Sequence, residues 1–375
     1  MRAEPAIPPE ALAAIRAPFL AMGAEPIDPP TMQPLSLILD LSGEAMRERL
    51  IVAQAGGEEV ALRPDFTIPA ARRHLETGRT EARYLYEGRA FQAVQPGHDD
   101  GYEEFLQIGL EAFETRAEAE ADAEIAALAW RAASAGGRTD LSLQLGDVGL
   151  FAAFVESLAL APPLAARIRR AFASPRRLRE LLGGDAARSA PPANGERLAA
   201  LLAGLPEAEA AGVLEDLWTL AGVEPVGGRS AAEIAHRLAE RASLAKAPGL
   251  TPAEADRIAS FLAISDMPAA ALEAVERLAD RSLDAALEGW ARRLETISAA
   301  GAPGTAMRLS TAFGRDFGYY DGMLFEVRSA TLGDGRPLAA GGRYDSLFAR
   351  LGSPLACGAV GCMVRPARAW KGNGR

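Results

Sequence analysis

The stretch "EGRAFQAVQPGHDDGYEEFLQIGLEAF" runs from Glu87 to Phe113. It reads as a strand, a polar loop with Pro, Gly and two Asp, and a second strand. In the second strand Phe105, Gln107, Gly109, Glu111 and Phe113 share one face, and Leu106, Ile108, Leu110 and Ala112 share the other. The wholly apolar face belongs against a core. On the opposite face Gln107 and Glu111 flank a glycine, and a strand glycine marks close approach of a ligand or of another backbone. The expectation is a gap beside Gly109 where a small ligand lies. A plain hydrogen-bonded polar pair is an equal alternative.

Outward from this hairpin the pattern is mixed. Residues 9–22 predict an amphipathic helix, followed by a proline-rich turn at 26–34. "PLSLILDLSGE" predicts a strand ending at Gly43, and "EEVALRPDFTIPAARRHLE" a strand, a break at Pro64 and a helix from about Pro69. A helix over 120–134 stops before Gly136 and Gly137. Leu141, Leu143 and Leu145 alternate as in a half-buried strand. From about 150 to 300 strand signals vanish, and Leu272, Val275, Leu278, Leu287, Trp290, Leu294 and Ile297 recur at helical spacing. Strands resume with "TAMRLSTAFGRDFGYYDGMLFEVRS" and continue through "RPLAAGGRYDSLF" to "CGAVGCMV". The predicted organisation is a mixed core in two segments, 1–147 and 305–375, split by a helical insertion at 148–304.

Bulk properties narrow the function. The 375 residues carry a formal net charge of −10, which argues against a broad footprint for nucleic acid or an anionic membrane. No apolar run reaches the length of a membrane span, and prolines and charges interrupt the N-terminus where a signal peptide would be apolar, so a cytoplasmic location is expected. With Cys357 and Cys362 the only cysteines, a disulfide framework is ruled out. His74, His98 and His236 are too widely spaced to suggest a zinc site. Neither a P-loop nor a dinucleotide glycine fingerprint occurs in strand–helix context. No cofactor or metal is expected.

Four stretches carry chemistry. In "LRPDFT", Arg63, Asp65 and Thr67 are placed on one strand face, with Asp65 suited to an ammonium group; a solvated edge strand is the alternative. The second is the Gln107–Glu111 pair. In "FGRDFGYYDGMLFEV", Arg315 is suited to bidentate grip of a carboxylate, with Tyr319 and Tyr320 as a ring wall. An aromatic core pair beside a surface arginine is the other possibility. In "AAGGRYDSLFARLG", Gly341 and Gly342 let the backbone approach something closely, or make a simple turn.

In this order the four stretches resemble the histidyl-tRNA synthetase-like members of the class II synthetase fold. "ALRPDFT" is similar to that family's "LRPEGT", and "FLQIGLEAF" to its "FHQxGxExF". "GRDFGYYDGMLFE" is similar to "RGLDYYxxTVFE", and "AAGGRYDSL" to "AGGRYDGL". "AVGCMVRPAR" is a weaker echo of the third class motif. The resemblance covers about residues 8–147 and 305–370. It implies an α+β fold: an antiparallel sheet with helices on one face and a ligand pocket on the other. By position it implies a histidine pocket in which Asp65 and Thr67 meet the amino group. Gln107 and Glu111 would approach the amino end and ring edge, Arg315 the carboxylate, and Tyr319 or Tyr320 the imidazole. Asp65 is shorter than the family's Glu, and Gly318 replaces its Asp.

The nucleotide half departs from the family. Where it has "FRxE", the chain has "FQAV", with Gln92 for the phosphate-gripping Arg and Val94 for the Glu. Asp99, Asp100, Glu103 and Glu104 would repel a triphosphate, and Ala367 stands in the usual "ER" pair. Loss of a fixed cation where negative charge develops costs on the order of 3 kcal/mol in rate terms. No anticodon-binding domain is expected after the third motif. This pattern, with "LSLQLGDVGLFAAF", resembles the ATP phosphoribosyltransferase regulatory subunits. That resemblance implies a non-catalytic, histidine-responsive partner of a short catalytic subunit in the first step of histidine synthesis, and a homodimer within a hetero-oligomer. The alternatives are a synthetase-like ligase activating histidine or a related acid, and a pure assembly scaffold.

Overall fold

The computed structural model of the chain describes residues 4, 6–94, 103–114, 116, 118–172, 174–183, 198, 201–202, 205–221, 231–232, 234–235, 249–279, 281–314, 318–354 and 357–372. Helix α1 (Pro9–Leu20) is followed by β1 (Glu25–Pro26), β2 (Met32–Pro34), α2 (Leu35–Ser42), β3 (Val52–Ala55), β4 (Glu58–Leu62), α3 (Thr67–Thr77), β5 (Ala82–Phe91), β6 (Glu104–Glu114), α4 (Glu118–Ser134) and β7 (Leu141–Asp147). Then come α5 (Val148–Ser157), α6 (Pro162–Ala171), α7 (Pro175–Leu182), α8 (Glu207–Ala221) and α9 (Pro252–Leu262). The chain continues through β8 (Ser265–Asp266), α10 (Pro268–Leu278), α11 (Asp284–Ala299), β9 (Met307–Ser310), β10 (Met323–Ser329), β11 (Ala339–Arg343), α12 (Leu347–Arg350), β12 (Gly358–Val364) and α13 (Pro366–Ala369).

The chain divides into two compact units, Met1–Ala153 with Phe261–Arg375, and Phe154–Ser260. The first contains a nine-stranded sheet in the order β1-β5-β6-β12-β11-β10-β7-β9-β8 and a three-stranded sheet in the order β2-β4-β3. Strands β5 to β7 of the large sheet pair antiparallel, whereas β1 pairs parallel with β5 and β9 parallel with β7. The sheet therefore departs from the all-antiparallel expectation near its edges. A parallel pair needs a long crossover, and the long segments between β1 and β5 and between β7 and β9 supply one. The second unit holds, among the described residues, α6, α7, α8 and most of α9, with an apolar cluster of Leu202, Ala210, Leu214, Ala231 and Ala235. Against the expected insertion of 148–304, this unit spans 154–260. Helices α10 and α11 are counted with the first unit, and α11 packs on α4.

Helix α4 shows how the sheet is covered. Ile125, Leu128 and a run of buried alanines let it lie close on β10, β11 and β12. The opposite face is covered as well. Leu35, Ile38 and Leu39 of α2, Ile68 and Ala71 of α3, and Leu347 and Phe348 of α12 join Tyr84, Phe113 and Ala359 of the sheet in one core cluster. Helices therefore flank the sheet, with α2, α3 and α12 on the face that carries Tyr84 and Phe113.

Two local expectations are corrected. "PLSLILDLSGE" is helical, not extended. Its buried residues Leu35, Ile38, Leu39 and Ser42 recur at helical spacing, and Gly43 at φ 95° ends the helix. In "LRPDFT" the strand stops at Leu62 and Thr67 opens α3, so Arg63, Asp65 and Thr67 do not share a strand face. They occupy a turn.

Candidate functional site

The register of the sheet builds the floor of the site. Glu111 of β6 lies opposite Tyr84 of β5 and Gly361 of β12, Gly361 lies opposite Gly342 of β11, and Gly342 opposite Leu324 of β10. A Cβ on Gly361 would sit 1.7 Å from Glu111 Oε2, and one on Gly342 would sit 2.9 Å from the Tyr320 ring. Those two glycines let the Glu111 carboxyl and the Tyr320 ring lie down on the sheet.

Above the floor, side chains from five segments join in one hydrogen-bonded chain. The turn before α3 brings the Thr67 amide to Asp65 Oδ1 at 3.1 Å, and the Tyr319 hydroxyl donates to Asp65 Oδ2 at 2.9 Å. Thr67 Oγ1 donates to Glu111 Oε1 at 3.0 Å. The Tyr86 hydroxyl also donates to Oε1, at 3.4 Å, and the Tyr344 hydroxyl donates to Oε2. Asp65, Thr67, Gln107, Glu111 and Tyr319 are all buried, while Tyr320 is half-buried with its ring 4.7 Å from that of Tyr319. Burial pushes the Glu111 carboxyl up to about 8; the bonds from Tyr344, Thr67 and Tyr86 oppose that rise and the Asp65 charge adds to it. Gln107 lies four residues before Glu111 on the same strand face, and its buried Oε1 has no hydrogen-bond partner among the described residues.

The expected gap beside Gly109 is filled from within. Tyr86 pairs with Gly109 across β5 and β6, and a Cβ on Gly109 would lie 2.2 Å from the Tyr86 hydroxyl and 2.5 Å from the Cys362 carbonyl oxygen. Tyr86 stacks on Phe66 at 4.3 Å, and the Arg63 guanidinium lies 4.0 Å from the centroid of the Phe66 ring. Arg63 donates to the carbonyls of Arg89 and Pro29, so it holds the turn in place. Gly341, by contrast, admits the Phe325 ring, a core contact.

The structure thus brings Asp65, Thr67, Glu111 and Tyr319 together, with Tyr320 and Gln107 beside them. Arg315 lies outside the described residues. Tyr86 and Tyr344 were missed as site residues. For Tyr344 the signal was present in "GRYD"; for Tyr86 only the strand pairing reveals its partner.

The corner matched to the nucleotide is occupied by protein contacts. Gln92 Nε2 donates to the Pro64 carbonyl at 3.0 Å, and Gln92 Oε1 accepts from Arg49 at 3.0 Å. Val94 is half-buried, and Ala367 is buried in α13. Of the acidic loop, Asp99 and Asp100 lie outside the described residues. Glu104 pairs with Arg89 at 3.5 Å, and the Glu103 carbonyl accepts the Gln92 amide. Among the described residues no group of His, Cys, Asp and Glu is placed to hold a metal ion, and no helix is long and apolar enough to cross a membrane. Cys357 and Cys362 are free thiols.

The sequence pattern of the histidyl-tRNA synthetase family matches residues 9–221 and 210–367. An ATP phosphoribosyltransferase regulatory subunit of Mesorhizobium japonicum is 37% identical over 361 residues, covering 92% of each chain. One from Brucella ovis is 35% identical over 363 residues, covering 94% of each. Among solved structures, an ATP phosphoribosyltransferase regulatory subunit/histidyl-tRNA synthetase from Bacillus halodurans superposes with a TM-score of 0.63 at 20% identity, over 96% of this chain and 77% of that one. A histidine–tRNA ligase subunit from Alicyclobacillus acidocaldarius gives 0.56 at 21% identity, over 99% and 97%. These two structures bear on the fold.

Proposed function

The chain belongs to the ATP phosphoribosyltransferase regulatory subunit family, and from that membership we propose that it is the non-catalytic partner of a short-form ATP phosphoribosyltransferase. The pair would join ATP to phosphoribosyl pyrophosphate in the first step of histidine synthesis, and the pocket of Asp65, Thr67, Gln107, Glu111, Tyr319 and Tyr320 would take free L-histidine as the feedback signal. Arg315, by its place in the motif, is the proposed partner of the ligand carboxylate. A homodimer within the hetero-oligomer belongs to this reading, in a cytoplasmic setting without nucleic acid.

The observation that carries the non-catalytic half is Gln92. Where the synthetase pattern has an arginine for a phosphate, a neutral amide stands, with its nitrogen bound to the Pro64 carbonyl and its oxygen to Arg49. Adenylate formation rests on charge stabilisation of that kind. The histidine half is supported by buried acceptors on one floor, suited to an ammonium and to N–H donors.

The test is co-purification with a short-form catalytic subunit, followed by assay with and without histidine. Activity should require this chain and fall when histidine is added. Histidine-dependent pyrophosphate exchange by this chain alone would instead support the ligase reading. Assembly without any response to histidine would support a scaffold.

A further inference from the structure

Glu111 is 1% exposed, yet among the described residues every side-chain donor to it is a neutral hydroxyl: Thr67 from α3, Tyr86 from β5 and Tyr344 after β11. The other titratable groups that act on it or pair across from it are Asp65 in the turn before α3, Tyr84 on β5, Tyr319 and Tyr320 in the segment before β10, and Cys362 on β12. One is a carboxyl and the rest are phenols or a thiol. Beyond Tyr84, the imidazole of His74 in α3 bonds the Tyr84 hydroxyl, and burial lowers its pKa toward the neutral form. Among the described residues, none of these neighbours is a cation. A buried carboxylate without a cation is expensive, and the group takes up a proton instead.

Gln107 points the same way. Its buried Oε1 is an acceptor left without a donor among the described residues. Among the described residues, the surroundings of Glu111 and Gln107 are therefore rich in acceptors and short of positive charge.

We propose that the ligand-free site keeps a proton on the Glu111 carboxyl, and that a cationic amine enters by displacing it. The ligand brings its ammonium charge, the carboxyl ionises against it, and the proton passes to solvent. Ionisation of the carboxyl offsets the incoming ammonium, so the net charge inside the site does not change. The identification of that amine with histidine rests on the reading above; the stored proton rests on the geometry alone.

The sign of the pH dependence follows. The ligand prefers the ionised carboxyl, so affinity falls as pH falls below the titration of the ligand-free site, by about tenfold per pH unit for one linked proton. Above that titration the affinity levels off, until the ligand amine loses its own charge. Tyr344 favours the ionised carboxyl through its hydrogen bond, so Tyr344→Phe should move the whole profile to higher pH.

The experiment uses the full chain and two measurements. First, infrared spectra of the ligand-free protein are recorded below and above neutrality. A protonated-carboxyl band should bleach as pH rises, and it should be missing from Glu111→Gln. Second, L-histidine is titrated calorimetrically near neutral pH in two buffers of different ionisation enthalpy. Most of one proton should be released by the parent and none by Glu111→Gln, which should bind more weakly. Absence of the band, or histidine binding with heats independent of buffer, overturns the proposal. A band present without any histidine binding leaves the stored proton standing and overturns histidine as the ligand.

Discussion

Gly109 shows how much one missing methyl group decides. Because Tyr86 and the Cys362 carbonyl occupy the space a side chain would need, Gly109→Ala must push a tyrosine ring off Phe66 or force β6 away from β12. We expect a loss of about 1–3 kcal/mol in stability, as for other overpacked cores, together with loss of ligand binding. Equilibrium unfolding and calorimetry check both. A variant as stable as the parent would mean that β6 and β12 shift without cost. The same glycine marks what sequence reasoning reaches at this scale. That something approaches Gly109 closely follows from a glycine in an apolar strand. That the visitor is Tyr86 follows only from the register of β5 against β6, which residues on two strands separated by a long loop do not announce.

At the scale of elements, α2 and the segment carrying Tyr319 are tied by one arginine. Gly43 ends α2 and leaves its last carbonyls without helical partners. Arg350, at the end of α12, donates to the carbonyls of Asp40 and Leu41 with one nitrogen and to Gly318 with the other, and the Gly318 amide donates to Ser42. The position of Tyr319 over Asp65 thus depends on a helix end far away in sequence. Arg350→Ala should cost about 1–3 kcal/mol, speed amide exchange within residues 35–42 and weaken ligand binding. Exchange followed by mass spectrometry reads the first effect locally; unchanged exchange would mean that the Gly318 bond alone holds the helix end. Helix α2 was the element least legible in the sequence, because a short apolar run bounded by Pro and Gly suits either a strand or a helix. The long alternating strands β6 and β7 and the helix α4 were legible, since their periods run for many residues. The turn at Asp65 was not, because three polar residues at every second position mimic a strand face.

At the scale of the molecule, Asp122 draws together chain segments that are far apart. From α4 it accepts from Arg343 of β11 at 2.8 Å and from Arg293 of α11 at 2.8 Å, across separations of 221 and 171 residues. All three are buried. Removing the carboxylate leaves two guanidinium groups without their shared partner, and Asp122→Ala should cost about 3–5 kcal/mol. Denaturant unfolding measures it; a loss under about 1 kcal/mol would class the cluster with exposed ion pairs. The order of the four motifs, more than any one of them, made the family and the central sheet readable in advance. The parallel pairs at the edges were hidden, because pairing direction follows the path of the long segments between strands.

The chain contains six tyrosines. Tyr84, Tyr86, Tyr319, Tyr320 and Tyr344 all lie in the site or pack against its wall, and Tyr102 falls outside the described residues. The pocket is therefore its own reporter. In a sample carrying isotope only in tyrosine rings, nearly every signal originates within a few contacts of Glu111, and the spectrum of a large protein becomes the spectrum of a single cavity.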